Sequence, residues 1–189
     1  MKYNSETDLR ELEAMASHLT PYLYQDDLYG MMSNNLPRLT VGGLLLRLLR
    51  LEGQQLSEAQ QKRVAEARSR FEELRKEWAA HYDGKVQKEI AVRLRSFSAF
   101  LDEADDSPGG ARGNYPAEAT RRTIITHLRD EAEQRNLWTE EYAADLQRVD
   151  RRLQAVLDRS QEKFIWADEL QPIYPKDRFW WLYALPAEK

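Results

Sequence analysis

A chain of 189 residues with 42% hydrophobic and 32% charged residues has the balance of a folded protein with a real core, and global disorder is excluded. The formal net charge of -4 offers no overall attraction to nucleic acid or anionic lipid. Without a single cysteine there can be no disulfide, thiolate metal site or cysteine nucleophile, which fits a reducing compartment and makes the cytoplasm the expected location.

The first residues, MKYNSETDLRELE, lack the basic start and apolar core of a signal peptide. Ser5 followed by Asp8 predicts a capped first helix, with Leu9, Leu12, Met15, Ala16 and Leu19 as its apolar stripe. Thr20-Pro21 closes it, and Pro21 opens a second short helix running to about Met32. Ser33-Asn34-Asn35 and Leu36-Pro37 read as a loop, because Asn tolerates turn conformations and the residue before Pro is pushed out of the helical region. Thr40 then caps VGGLLLRLLRLEG, a Leu-dense core helix ending at Gly53. Arg47 and Arg50 interrupt this most apolar segment, and it falls well short of the roughly 20 residues of a membrane span, so none is predicted.

Residues 57–104 are expected to organise the rest. Ser57 and Gln60 form a capping-box pair, and Val64, Phe71, Leu74, Trp78, Tyr82, Val86, Ile90, Leu94, Phe97 and Leu101 recur at three- and four-residue steps. The apolar phase carries across Asp83-Gly84, which predicts a kink or plain continuity there and not a turn. A straight helix from Glu58 to Glu103 would span about 69 Å, whereas a compact domain of this size is about 40 Å across. Continuity would therefore make the molecule elongated. Residues 105–115, opening with DDSPGGARGN, read as a flexible loop. Pro116 starts the next helix, with Ile124, Ile125, Leu128 and Ala132 on one face and an end near Asn136. Thr139 caps a last long helix whose seam is Tyr142, Leu146, Val149, Leu153, Val156, Ser160 and Phe164. In the aromatic tail, residues 165–189, Pro172 and Pro175 forbid one continuous helix and leave room for a short helical turn over 177–184. The expected fold is all-α: one domain over residues 1–189, a helical bundle around one long central helix with the tail docked on it.

No motif for catalysis, a cofactor or a metal emerges from these residues. His81 lies four after Glu77 and His127 four before Glu131, the spacing of ordinary surface contacts on a helix. Asp26 and Asp27 among Tyr22, Tyr24 and Tyr29 suggest an acid pair in an aromatic pocket, though neighbouring helix positions point about 100 degrees apart. Arg121, Arg122, Arg129, Arg148, Arg151, Arg152 and Arg159 suggest a phosphate-binding stripe, but they share their helices with many acids and read better as a laced, solvated surface. The tail is the most consequential surface feature expected: Tyr174, Phe179, Trp180, Trp181 and Tyr183 are its candidate partner-binding residues, against the simpler reading of a cover over a helix groove. The leading expectation is a non-catalytic protein-interaction protein, adaptor or scaffold, binding another protein or itself. A ligand-binding or enzymatic helical domain with a pocket between Tyr22 and Tyr29 comes second, and a nucleic-acid-associated helical protein third.

Overall fold

The computed structural model describes residues 2–33, 35–106, 108–159, 162–164 and 166–187. Seven α-helices and no strand are found among them: α1 (Ser5–Ser17), α2 (Leu19–Tyr24), α3 (Val41–Glu52), α4 (Glu58–Glu77), α5 (Ala79–Asp106), α6 (Pro108–Gln134) and α7 (Glu140–Leu157). Two 3-10 turns follow, Asp168–Leu170 and Trp180–Leu182. The fold is all-α, with the 28-residue α5 as its longest helix and an aromatic cluster at the C-terminal end. No helix among the described residues is long and apolar enough to cross a membrane. The chain divides into two compact units, Lys2–Glu89 with Asp168–Ile173 and Ile90–Ala167 with Tyr174–Lys189. Residues of α5 belong to both.

In the first unit, α1 packs on α3 and α4, with Leu9, Leu12 and Met15 of α1, the Leu-rich face of α3, and Val64, Ala67 and Phe71 of α4 all buried. Asn4 caps α1, accepting from the N–H groups of Glu6 and Thr7, one residue before the predicted Ser5. Thr40 and the Ser57–Gln60 capping box act as predicted. Helix α2 stops at Tyr24, far short of Met32, because Lys85 of α5 occupies the exit: its Nζ donates to the carbonyls of Gln25 and Asp27 at 2.5 Å each and lies 4.3 Å from the Tyr22 ring. Four residues further along α5, the buried Glu89 carboxylate accepts from Gly42 N–H at 2.9 Å, in the first turn of α3. A cation beyond the end of one helix and an anion at the start of another both oppose the helix dipoles favourably.

The predicted single helix over residues 57–104 is interrupted, and not at Asp83-Gly84. Gly84 sits inside α5 with open space around it, while Trp78 leaves the helical region at φ -111, ψ 37. Its N–H still reaches Leu74 and its carbonyl still accepts from Tyr82, both at 2.9 Å, so the junction is a kink. Neither Gly nor Pro stands there. The Trp78 ring packs on Tyr24 at 4.5 Å and His81 at 6.0 Å, and this side-chain packing accompanies the bend. Helix α3 ends at Gly53 as predicted, with φ -85; a Cβ there would come within 2.4 Å of Ile173, which favours glycine.

In the second unit the expected loop over residues 105–115 is corrected: 105–106 close α5 and 108–115 are helical, with Ser107 outside the described residues. Gly109, Gly110 and Gly113 cost about 1 kcal/mol each relative to Ala in a helix interior. Burial offsets them, since Ala111 and Tyr115 lie one turn apart in the core, and fully burying a large apolar side chain contributes roughly 1.5–3 kcal/mol. Pro116 is consequently internal to α6. Helix α6 ends in a Schellman motif, with Asn136 in the left-handed region at φ 56, Leu137 N–H on Ala132 O and Asn136 N–H on Glu133 O. Thr139 caps α7 through Tyr142 N–H, as predicted. Leu146, Val149, Leu153 and Val156 of the predicted seam are buried. The helix ends at Leu157, so Phe164 lies beyond it, and Ser160 is outside the described residues.

Candidate functional site

The tail of the second unit is held from inside. Trp181 is buried, donates Nε1–H to Thr123 Oγ1 at 3.1 Å, and offers its carbonyl to Tyr115 Oη–H at 2.6 Å. Over its ring, 4.0 Å away, lies the Arg122 guanidinium. That group binds both Asp150 oxygens, at 2.7 and 2.8 Å, and donates to Thr126 Oγ1 at 2.7 Å. Tyr174 and Phe179 are buried beside His127, whose Nε2 lies 3.4 Å from Tyr174 Oη. Burial of Tyr115 drives its phenol well above the ordinary tyrosine range, so it serves as a neutral hydrogen-bond donor. Tyr183 is half-buried and donates to Tyr174 O at 2.6 Å. Arg112 ties down the end of the chain, donating to Pro186 O at 3.0 Å and pairing with Glu162.

Of the five aromatic residues expected to meet a partner, Tyr174, Phe179 and Trp181 are thus committed to the chain's own core. Trp180 is different. It is half-buried, stands edge-on to Trp181, and lines a groove of about 760 Å³ that opens along α7. Trp138, also half-buried, lines the same groove, and the exposed residues Ala143, Ala144, Gln147, Arg151 and Gln154 contribute successive turns of α7. From α6 come Arg129 and Glu133. The Arg129 Nε–H is buried without a hydrogen-bond partner among the described residues, and its acidic neighbours, Asp130 and Glu133, stand back at 3.6 Å.

Trp138 is the site residue that sequence reasoning missed. It precedes the Thr139 cap, where an apolar residue packs back on the first turn of the helix, as its ring does on Tyr142 at 5.7 Å. A lone Trp at that position was the available signal.

The other candidates are placed elsewhere. Asp26 and Asp27 are exposed and contribute backbone carbonyls to Lys88 and Lys85, while Tyr22 is buried and donates to Leu28 O. Burial lowers the Lys85 pKa below the usual lysine range. His81 is exposed, whereas His127 and Glu131, expected as a surface pair, are both buried in the second unit. Within the arginine stripe, Arg121 pairs with Glu118, Arg122 with Asp150, Arg129 faces Asp130 and Glu133, Arg148 pairs with Asp145, and Arg152 with Asp102 and Asp105. Among the described residues no group of three or more His, Asp or Glu is placed to hold a metal ion. Compared with known proteins, the chain matches no family model, no curated protein and no solved structure.

Proposed function

We propose that this chain is a non-catalytic protein-interaction protein, and that its binding surface is the α7 groove flanked by Trp138 and Trp180. One observation carries the reading: two half-buried tryptophans border an open groove lined by the exposed, short side chains of Ala143 and Ala144. Tryptophan is favoured as an interface anchor because it brings a large apolar area at a small cost in rotamer entropy, and its remaining exposed area is lost only when a partner covers it. Short side chains between such anchors let a partner's backbone approach. A groove this open buries too little of a small ligand to hold it tightly, so a macromolecular segment suits it better.

The test is affinity capture from the native host with the wild-type chain, Trp180→Ala and Ala143→Trp in parallel. The first variant removes an anchor and the second fills the groove from an exposed helix position. A central anchor carries about 2 kcal/mol or more, roughly thirtyfold in affinity. A protein retained by the wild type and lost by both folded variants is expected, and a second copy of the chain would show the same dependence in sedimentation. Identical captured proteins and identical sedimentation for all three chains would overturn the reading.

A further inference from the structure

The charges around the groove are unevenly satisfied. Asp150 is held by both arms of the Arg122 guanidinium, so its charge is already answered within the fold. Glu133 stands 3.6 Å from the Arg129 Nε, beyond hydrogen-bonding distance, and that buried N–H has no hydrogen-bond partner among the described residues. Arg151 is exposed on the α7 wall two turns beyond Ala144. Once Arg122 cancels Asp150 and Arg178 cancels Asp130, Arg129 and Arg151 outweigh Glu133. The Arg129 Nε itself is buried, so the guanidinium N–H groups a partner can reach are those of exposed Arg151 and of the part of Arg129 that faces solvent. These suit carboxylate oxygens, which they can bind through two parallel hydrogen bonds.

The shape adds a second constraint. From Ala143 to Gln154 the groove follows α7 for about 16 Å, three helical turns. The described residues offer no sheet edge to which an extended strand could add, so a helix laid in the groove is the recognition mode that fits. Resting on the groove reading above, we infer that the partner segment is an acidic amphipathic helix of about three turns. Its apolar face lies between Trp138 and Trp180, and its carboxylates meet Arg151 and Arg129.

A displayed library of random peptides of roughly 16 residues, long enough for four turns, tests this on the full chain, with Ala143→Trp as the counter-selection. Selected peptides should carry an excess of Asp and Glu along one flank of an apolar three-and-four-residue stripe. Measured as synthetic peptides, they should bind Arg151→Glu on the order of tenfold more weakly, weaken as salt rises, and regain affinity for that variant when their acids are changed to Lys. Peptides lost on Ala143→Trp but without acidic excess and indifferent to Arg151→Glu would overturn the inference and leave the groove as a docking surface. A library yielding no peptide sensitive to Ala143→Trp would overturn both.

Discussion

The buried guanidinium of Arg122 predicts an asymmetry between two substitutions at one ion pair. Arg122 has a side chain 3% exposed, while Asp150 on the other side of the bond is 28% exposed. Asp150→Ala leaves a full positive charge in the core, answered among the described residues by Thr126 Oγ1 and the Trp181 ring. Breaking a buried pair this way costs about 3–5 kcal/mol, and the partial access of water at Asp150 places the expected loss near the lower end, about 3 kcal/mol. Arg122→Met removes the charge, fills much of the same volume, and leaves a carboxylate that water can reach. Its expected loss is only about 1–2 kcal/mol, chiefly the cation–π contact and the bond to Thr126. In the double variant no stranded charge remains, so the loss should fall short of the sum by about 2 kcal/mol. Urea unfolding followed by tryptophan fluorescence measures this in a Trp78→Phe background, where Trp138, Trp166, Trp180 and Trp181 all report on the second unit. An Arg122→Met loss equal to or larger than that of Asp150→Ala, or strictly additive losses, would refute the reasoning.

Gly53→Ala should cost about 1–3 kcal/mol, because the new Cβ would sit 2.4 Å from Ile173 Cγ1; Ile173→Ala in the same chain should recover most of it, and an unchanged urea midpoint for Gly53→Ala would count against the contact. Burial raises the folded pKa of Asp8 and of Glu118 above their ordinary values of 3.8 and 4.5. Between the ordinary and raised values the native state binds the proton and the unfolded state does not, so stability contributed at these sites increases as pH falls through that window. Asp8→Asn and Glu118→Gln should therefore raise the midpoint at pH 7, with the advantage shrinking on acidification; an advantage that grows toward low pH would show that these carboxylates are stabilised as anions.

What the sequence determined by itself is what four residues can settle among themselves. Thr40, Ser57 with Gln60, and Thr139 cap their helices because each side chain reaches an N–H within its own first turn. The stripe from Val64 to Leu101 and the seam from Leu146 to Val156 were legible because burial repeats with the helical period. The aromatic density of the tail was legible too, but not which rings are spent inside: Trp180 and Trp181 are neighbours in sequence, and only the second finds Thr123, Tyr115 and Arg122 around it.

Tertiary structure decided where distant groups compete with local preference. Glycine content predicted a loop over residues 105–115, yet the core offered to Ala111 and Tyr115 holds 108–115 helical. The Asp83-Gly84 pair was the local weak point, yet the bend falls at Trp78, which packs on Tyr24 more than fifty residues earlier in the chain. Helical pattern carried α2 on to about Met32, past its actual end at Tyr24, because Lys85 takes the carbonyls of Gln25 and Asp27. The groove is likewise a product of assembly, joining Arg129 from α6, Trp138 from the turn, Arg151 from α7 and Trp180 from the tail. Each of these outcomes is a free-energy difference between a local conformation and contacts made far along the chain, and no window of neighbouring residues contains both terms.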